Sequence, residues 1–493
     1  MKKIMNNKYR TIFPLCMLFL GFIINSCKKL VETAPPTDYV SGTSAFASDG
    51  TAIAVINNIY YFMSHNNGYF QGASGMSFLG GLLSDELSVG PNFANADPFP
   101  NYYQNQLAGT ATTGEGSESW APIYNLIYDC NYAVEGLNKS TKLSPFAKNQ
   151  LLGEVMFLRA FFYFDLVNKF GPVPLCVTSD YEVNSKLARA SVGNVFSQII
   201  NDLKAAQDLL SDQYLNGVLA PFGSDRVRPT KWAATALLAR AYLYGANNAK
   251  AEEAATVLIN NVSLFGPLPA LNSAFLKNSK EAIWQIQPTE LDFNTGEGYY
   301  FIIPPGGPVN AFLSNYLLNS FEANDQRAID GNWINSETIG TTTYRYPYKY
   351  KVYYSPGVSS ASGMSEYLMV LRMGEQYLIR AEARAKLNNL AGAIADLDVI
   401  RQRAGLPLIA NTNPGISQSA LLDKILHERQ VELFCEWGHR WFDLRRTGNI
   451  DAVMSVVTPQ KAAGALWQPT QALFPLPYRE LQYNPNLMQN PGY

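Results

Sequence analysis

Residues His427–Arg446 read HERQVELFCEWGHRWFDLRR, and this stretch decides the fold. It contains two of the chain's three histidines, together with three glutamates, one aspartate and four arginines. So many titratable groups in one short stretch indicate either an active site or a network of ion pairs that stabilises the fold. The spacing of the residues favours one of these interpretations.

The acidic residues of this stretch have helical spacing. Glu428, Glu432 and Glu436 recur every four residues and therefore line one edge of a helix, which we predict to run over Ala420–Arg445. The arginines lie within reach of these acids, on the same helix or from a neighbouring one. Aromatic residues bury the rest of the segment, and charges in such surroundings must be paired. The spacing therefore favours a structural network of ion pairs.

The histidines do not indicate a zinc site. The motif H-E-x-x-H requires a second histidine at the position that Val431 occupies. His427 and His439 would lie about 18 Å apart on a continuous helix, so they cannot share a metal ion. We predict neither a metal site nor a cofactor.

The composition combines few charges with many aromatic rings. Charged residues make up 16% of the 493 residues, whereas the chain has 29 tyrosines and 26 phenylalanines. Such a surface suits neutral, hydroxyl-rich ligands better than phosphates. With 38 basic against 40 acidic residues there is no polycationic field, so nucleic acid is not an expected partner.

The N-terminal residues have the features of a lipoprotein signal. Basic residues precede a short apolar stretch, Thr11–Ile24, and Cys27 follows shortly after it. We interpret residues 1–26 as a signal peptide and Cys27 as the lipidated residue, with ordinary secretion and an unmodified Cys27 as the alternative. Residues 27–43 contain paired prolines and are predicted to form an extended tether.

The sequence after Cys27 has no segment with the length and apolarity of a transmembrane helix, so lipid would be the only membrane attachment. Cys130, Cys176 and Cys435 are far apart and show no C-x-x-C spacing. We therefore predict buried thiols rather than disulfides or metal ligands.

Helical periodicity dominates the chain from residue 44 onward, which we assign to a single domain. Two predicted helix pairs, beginning at Leu237 and Tyr377, each have an Ala-rich first helix, an Asn-Asn turn and a second helix with alanines at close-packing positions. This is the pattern of tetratricopeptide-like repeats, so the predicted fold is mostly α, a helical-repeat superhelix with a few short strands. Besides the helix of the opening stretch, we predict helices at Ala52–Met63, Trp120–Leu137, Gln150–Phe170, Val192–Leu210, Pro229–Tyr244, Ala249–Asn260, Met373–Leu387 and Leu390–Arg403.

Long insertions interrupt the repeats at about 64–118 and 287–343. Both are rich in Gly, Asn and aromatic residues, and ordered loops of this length are commonly functional. The clearest strand is predicted at Glu281–Gln287. Tyrosines alternate with other residues over Tyr344–Tyr350, which predicts a strand that packs its tyrosines on the core, or else a stacking platform for sugars; we favour the core.

Catalytic motifs are weak in this sequence. Outside the opening stretch the only histidine is His65, and no G-x-S-x-G elbow occurs. Glycoside hydrolysis needs two carboxylates, and Asp85 with Glu86 is the most suggestive pair. We favour a structural role for this pair at a turn, with its carboxylates in solvent or on a cation, and keep a surface hydrolase as the least favoured alternative.

Taken in order, several segments make the chain similar to the SusD/RagB family of outer-membrane nutrient-binding lipoproteins. The resemblance runs from Cys27 to the C-terminus. The segments that carry it are SDEL (Ser84–Leu87), WAPIYNLIYDCN (Trp120–Asn131), EVMFLRAFFYFDLVNKFGPVPL (Glu154–Leu175), KWAATALLARAYLY (Lys231–Tyr244), NDQR (Asn324–Arg327), LRMGEQYLIRAEARAKLNN (Leu371–Asn389), ERQVELFCEWGHRWFDLRR (Glu428–Arg446) and FPLPYRELQYNPNLMQNPGY (Phe474–Tyr493).

The resemblance implies a function as well as a fold. It implies a right-handed superhelix of about four tetratricopeptide-like units and a lipid-anchored protein on the outer membrane, facing the cell exterior. It also implies a SusC-like TonB-dependent transporter as partner, to which a captured oligosaccharide, or less often a peptide or another nutrient, is delivered without catalysis.

The resemblance carries no ligand motif, so candidate ligand residues come from the chemistry of the insertions. Sugars bind through aromatic rings on their apolar faces and through amides on their hydroxyls. Asn92–Gln106 and Leu291–Phe301 offer this mixture. The predicted ligand-binding residues are Phe93, Asn101, Tyr102, Tyr103, Asn294, Tyr299 and Tyr300.

Overall fold

The structure is a computed structural model that describes residues 44–65, 70, 72–109, 116–221, 225–289, 294–358, 360 and 363–493. The predicted signal peptide, the tether and the lipidated Cys27 lie outside these residues. Residues 46–493 form one compact unit; of the unit before it, residues 1–45, the described part is Ser44 and Ala45.

Helices dominate the described residues, as predicted. They are α1 (Asp49–Ser64), α2 (Met76–Leu83), α3 (Phe99–Gln104), α4 (Ser117–Lys139), α5 (Pro145–Phe170), α6 (Tyr181–Asn184), α7 (Val192–Leu209), α8 (Lys231–Tyr244), α9 (Asn248–Ile259), α10 (Val262–Phe265), α11 (Gly296–Phe301), α12 (Asn315–Leu318), α13 (Met373–Lys386), α14 (Leu390–Arg403), α15 (Ile409–Thr412), α16 (Gln418–Glu432), α17 (His439–Arg446), α18 (Ile450–Lys461) and α19 (Tyr478–Tyr483).

Local capping explains where several of these helices begin and end. The Ser144 side chain accepts a hydrogen bond from the Ala147 amide at the start of α5, and Ser191 caps α7 in the same way. Helix α5 ends at Phe170 because Gly171 follows with φ of 71°, a conformation that favours glycine. Capping thus fixes the lengths of the long helices that form the scaffold.

The long helices stack in chain order. Helix α4 packs on α5, α5 on α7, α7 on α8, and α8 on α9; α9 then packs on α13, and α13 on both α14 and α16. The two resembling pairs, α8–α9 and α13–α14, are therefore neighbours in space although a long insertion separates them in sequence. Fully buried alanines such as Ala236, Ala239 and Ala381 let the helices approach closely. The predicted helical-repeat scaffold is confirmed.

Four two-stranded antiparallel sheets accompany the helices in the described part of the chain. They pair β1 (Leu87–Val89) with β5 (Ala311–Leu313), β2 (Val173–Pro174) with β3 (Arg189–Ala190), β4 (Ala282–Ile286) with β8 (Leu368–Arg372), and β6 (Ile334–Ile339) with β7 (Thr342–Pro347). Strand β4 confirms the strand predicted at Glu281–Gln287.

The alternating tyrosines belong to the core, as we favoured. Strand β7 ends at Pro347, so it carries Tyr344 and Tyr346, whereas Tyr348 follows it. Tyr346 is 4% exposed, and Tyr344 and Tyr348 pack on the same apolar cluster as Ile303. The tyrosines of this strand therefore pack against an apolar cluster.

The opening stretch forms two helices rather than the single helix predicted at Ala420–Arg445. Helix α16 ends at Glu432 and α17 begins at His439. Between them Cys435 and Trp437 have φ of 53° and 49°, and Gly438 has φ of 69°. A continuous helix cannot contain such left-handed residues. In the turn, Lys349 Nζ donates hydrogen bonds to the carbonyls of Glu432 (2.9 Å) and Phe434 (2.8 Å), which stabilises the interruption.

The predicted ion-pair network exists and is buried, but the predicted partners are wrong: the glutamates of the opening stretch pair with basic residues from other segments and not with the arginines of the stretch itself. The carboxylate of Glu432 contacts the guanidiniums of Arg372 (2.7 Å), Arg327 (3.0 Å) and Arg403. Glu428 pairs with Arg327 at 2.7 Å. These arginines come from β8, from α14 and from the segment before β6, so α16 is bonded electrostatically to three separate parts of the chain.

A second part of the network joins α17 to its surroundings. Arg429 contacts Asp443 at 2.7 Å, and Arg446 lies 2.7 Å from Asp443 and 2.6 Å from Glu382. Burial and the Arg240 charge lower the pKa of His439 well below its usual value. His439 is therefore neutral at pH 7, and its 4.0 Å approach to Glu375 is not an ion pair there.

The three cysteines of the described residues are buried free thiols, as predicted. Burial raises the pKa of Cys176 to about 11, and it also raises the pKa values of Cys130 and Cys435. They stay protonated at neutral pH and act as small apolar side chains.

Candidate functional site: a row of aromatic rings

The two insertions meet in space and are hydrogen-bonded to each other. Strand β1 from the first insertion pairs with β5 from the second, with Leu87 opposite Leu313. Beyond the paired strands, the Gly90 amide donates to the Asn310 carbonyl at 2.7 Å and the Asn92 amide to the Val309 carbonyl at 3.0 Å. A Cβ on Gly90 would lie 2.1 Å from the Val309 oxygen, so this contact requires glycine.

Helix α11 presents three consecutive aromatic residues at this junction. The Thr295 side chain caps the helix by accepting a hydrogen bond from the Gly298 amide at 2.9 Å. Phe301 points inward and stacks on Phe78 of α2, with ring centroids 5.7 Å apart and an interplanar angle of 18°. Both rings are buried, so they form a rigid apolar floor beneath the surface.

Above this floor lies a continuous series of half-buried rings, which we call the aromatic row: Phe99, Phe93, Tyr300, Tyr299 and Tyr353. Phe99 and Phe93 stack with centroids 4.1 Å apart, and Tyr300 lies 6.4 Å from Phe93. Tyr300 meets Tyr299 edge to face at 5.2 Å, and Tyr299 stacks on Tyr353 at 5.2 Å. Phe78 contacts Phe93, Phe99 and Tyr300 from below.

Polar groups accompany the rings. Asn92, Asn95 and Asp97 are exposed on the turn that contains Phe93. The side-chain amide of Asn310 donates from its nitrogen to the Tyr300 carbonyl (3.3 Å), and its oxygen accepts from the side-chain nitrogen of Asn92 (2.6 Å). Partly exposed π faces beside amides match the two kinds of surface on a sugar ring, which has apolar C–H faces and polar hydroxyl edges.

The structure brings three of the seven predicted ligand residues together, namely Phe93, Tyr299 and Tyr300. Asn101 is half-buried in α3, and Tyr103 lies against the ammonium of Lys461, 5.4 Å from its ring centroid. These two residues neighbour the aromatic row in sequence but are not part of it.

Tyr102 and Asn294 occupy positions that suit a structural role instead. Tyr102 is 0% exposed, and its hydroxyl donates to Glu118 and accepts from the Gly116 amide at 3.0 Å. Asn294 is 2% exposed, and its carbonyl oxygen accepts from the amides of Ser365 (2.8 Å) and Glu366 (3.0 Å). Neither side chain has a free face for a ligand.

Two members of the row were not singled out from the sequence. Phe99 lies within Asn92–Gln106 but is not among the predicted residues, and Tyr353 lies outside both predicted segments. The sequence signal for Tyr353 is the pair Tyr353-Tyr354, which resembles the pair Tyr299-Tyr300.

Asp85 and Glu86 are both buried, whereas the sequence predicts that their carboxylates lie in solvent or on a cation. Asp85 is 4% exposed and accepts hydrogen bonds from Arg440 at 2.8 and 2.6 Å. Glu86 is 1% exposed, and burial together with the Asp85 charge raises its pKa to about 8. Asp85 is thus another member of the ion-pair network, which ties the first insertion to α17.

One buried acid belongs to the helix that carries Tyr299 and Tyr300. Glu297 belongs to α11, two residues before Tyr299, and is 2% exposed. Burial raises its pKa to about 8, so it is mainly protonated at pH 7.

A search for metal-ligating clusters among the described residues finds no group of three or more His, Cys, Asp or Glu that could hold an ion. Among the same residues, no helix is long and apolar enough to cross a bilayer.

Stacked helix pairs with an aromatic site on their insertions define an α-helical repeat protein of the tetratricopeptide-like class. Residues 299–493 match the family model described as SusD family, and residues 92–243 match the model described as "Starch-binding associating with outer membrane". The chain belongs to the SusD/RagB family.

Known relatives match nearly the whole chain. SusD-like protein P25 of Formosa agariphila is 24% identical, with 97% of this chain and 98% of the relative covered. A solved SusD superfamily protein from Bacteroides vulgatus has a TM-score of 0.73 at 21% identity, covering 91% of this chain and all of that one. Surface glycan-binding protein A from Bacteroides fluxus has a TM-score of 0.71 at 20% identity, covering 90% of this chain and 99% of that one. The solved structures share the fold.

Proposed function

We propose that this protein is a cell-surface lipoprotein that binds neutral oligosaccharides through the aromatic row and delivers them to a SusC-like TonB-dependent transporter, without catalysis. The lipid anchor would be on Cys27, and the protein would face the exterior of the outer membrane. The observation that carries the proposal is the aromatic row itself.

The geometry of the row suits an extended neutral ligand. Its five rings follow one another at centroid distances of 4.1 to 6.4 Å, so they form a continuous surface rather than an enclosed pocket. A chain of sugars can lie across such a surface with its apolar faces against the exposed parts of the rings. The name of the Bacteroides fluxus neighbour and the starch-binding description of the family model support a glycan as the ligand.

The surroundings of the acids support binding without turnover. Asp85 is held by Arg440, and Glu86 is buried and carries a raised pKa, so neither carboxylate can approach a glycosidic bond in solvent. Incubation of the pure protein with any polysaccharide that it binds should release no reducing ends. Turnover by pure protein would replace this proposal with a surface hydrolase.

Affinity gel electrophoresis with soluble starch, laminarin, xyloglucan and mannan tests the ligand class. We expect at least one polysaccharide to retard the protein, and Tyr300→Ala or Phe93→Ala to weaken binding by about two- to tenfold each. Phe146→Ala is a matched control, because Phe146 is 53% exposed on α5, outside the row. Unchanged affinity in both row variants would contradict this site, and binding of peptides but of no glycan would redirect the proposal to another nutrient.

The anchor and the partner have separate tests. Cys27→Ser should abolish labelling of the protein by palmitate in cells, and labelling that survives this change removes the lipid-anchor argument. The wild-type protein should copurify from outer membranes with a TonB-dependent transporter. Its absence from such preparations would contradict the delivery step but leave the binding step intact.

A further inference from the structure

Apart from the aromatic row, the structure has a cleft of about 410 Å3 between α4, α6 and α19. Its volume falls within the range of roughly 300–1,000 Å3 that is usual for small-molecule sites. It shares no lining residue with the aromatic row, and the proposed function above does not use it.

The α4 wall of this cleft is preformed. Trp120, Tyr124 and Tyr128 are spaced by four residues and therefore lie on one face of α4. The rings of Trp120 and Tyr124 are 5.0 Å apart, and the Tyr124 hydroxyl donates to the Pro174 carbonyl at 2.8 Å. Tyr128, at the outer end, is 48% exposed. These contacts fix the inner rings, while the outer ring remains open to a ligand.

The opposite wall carries unusually exposed rings. Tyr181 of α6 is 79% exposed and Tyr483 of α19 is 77% exposed, more than any other tyrosine of the described chain. Large exposed aromatic side chains that converge on one concave surface mark binding sites more often than isolated ones do.

The polar groups that line the cleft suit a neutral ligand. Asn184 donates from its amide nitrogen to the Thr178 carbonyl at 2.7 Å, whereas its Oδ1 is shielded from water and has no hydrogen-bond partner among the described residues. Asn125 is exposed on the α4 wall. Glu480 is the only charged residue among the described residues that line the cleft, and it is hydrogen-bonded to Trp120.

We propose that this cleft is a second saccharide site, with Tyr128, Tyr181 and Tyr483 stacking on sugar faces and the exposed side-chain amide of Asn125 forming a hydrogen bond with a hydroxyl. A phosphate or an acidic sugar is disfavoured because the described residues that line the cleft include a carboxylate and no cationic side chain. A purely apolar ligand would bury the Asn125 amide without a hydrogen-bond partner. The ligand class is the one in the proposed function, but the site is separate from the aromatic row.

The test uses the full mature protein in four forms: wild type, Phe93→Ala/Tyr300→Ala, Tyr181→Ala/Tyr483→Ala, and the combination of all four changes. Each is measured against the same four polysaccharides by affinity gel electrophoresis, and also against polygalacturonate as an acidic probe. Tyr478→Ala is the matched control, since Tyr478 is 40% exposed on α19 but does not line the cleft. The substituted cleft tyrosines are exposed, so the melting temperature should stay unchanged.

We expect Tyr181→Ala/Tyr483→Ala to weaken binding of at least one neutral polysaccharide by about fivefold or more, because each stacking ring contributes about two- to tenfold. We also expect the Phe93→Ala/Tyr300→Ala protein to retain residual binding that the combined variant loses. If the row variant abolishes all binding while the cleft variant equals wild type, the second site is refuted and the proposed function stands. If the wild type binds none of the neutral polysaccharides, both the aromatic-row proposal and the cleft proposal fail. If the cleft binds polygalacturonate more tightly than the neutral polysaccharides, the cleft proposal alone is overturned.

Discussion

Replacing Glu432 by glutamine tests whether the buried ion pairs stabilise the fold. Glutamine keeps the size of the side chain but removes its charge, so the guanidiniums of Arg327, Arg372 and Arg403 lose the carboxylate that they share. Each guanidinium keeps another carboxylate at 2.8 to 2.9 Å. Glu432 is 0% exposed, so water cannot replace the missing interaction.

The expected loss of stability follows from the pKa of the Glu432 carboxyl. Burial alone would raise the pKa, but the guanidiniums of Arg403, Arg372 and Arg327 lower it from 4.5 to about 2. At about 1.4 kcal/mol per pKa unit, this difference corresponds to roughly 3 kcal/mol of stability. Breaking a buried ion pair from one side typically costs roughly 3–5 kcal/mol, which agrees. We expect Glu432→Gln to lower the free energy of unfolding by about 3 kcal/mol at pH 7.

The sign of the pH dependence is also determined. The pKa of Glu432 is depressed in the folded state, so its stabilisation is complete above about pH 4.5 and is lost as the pH falls towards 2. Urea unfolding followed by tryptophan fluorescence, at several pH values between 7 and 3, measures this difference between wild type and variant. The difference should shrink below about pH 4.5.

A surface glutamate provides the control. Glu253 forms a 2.7 Å ion pair with Lys250, but its side chain is 66% exposed. Glu253→Gln should therefore change stability by less than about 0.5 kcal/mol. A loss below about 1 kcal/mol for Glu432→Gln, or a loss that does not depend on pH, would refute the structural role that we assign to the network.

Three further changes test other parts of the structure. Tyr102→Ala should lower the free energy of unfolding by about 3–5 kcal/mol in urea titrations, because it empties a fully buried position; normal stability with reduced glycan affinity would return Tyr102 to the binding surface. Glu297→Gln should make the free energy of unfolding less dependent on pH. In the wild type, the raised pKa of Glu297 contributes stability fully below about pH 4.5, and this contribution is lost as the pH rises towards 8. The stability difference between wild type and Glu297→Gln should therefore change by about 2–3 kcal/mol between pH 6 and pH 8, and equal slopes for both proteins would exclude a buried neutral acid. Arg440→Ala should destabilise the protein by about 3–5 kcal/mol in the same assay, since it leaves the buried Asp85 carboxylate without its guanidinium and with the longer 3.3 Å hydrogen bond from Gln430. An unchanged urea midpoint would show that Asp85 is solvated.

Regular helices were the most predictable part of this fold. Leu390–Arg403 was predicted with the bounds that the structure shows for α14, because apolar residues recur there at helical intervals and Gly405 is a clear stop signal. Met76–Leu83 was missed because MSFLGGLL is short and has no charged residue to mark a side that faces solvent. The interruption after Glu432 was missed because Cys435 and Trp437 adopt left-handed conformations that their residue types rarely favour.

The site was less predictable than the scaffold for a physical reason. Composition identified the two insertions, but the aromatic row depends on the pairing of β1 with β5, which lie more than 200 residues apart. Whether a loop aromatic faces solvent or the core depends on such long-range pairing. Tyr102 and Tyr299 look alike in sequence, yet one is fully buried and the other is half-exposed.

The aromatic row has a consequence for fragments of this protein. Its rings come from three segments, around Phe93, Tyr300 and Tyr353, and the scaffold helices α4 to α9 lie between the first segment and the other two. Expression of either half alone would separate rings that the proposed ligand touches together. The complete row therefore requires the intact fold.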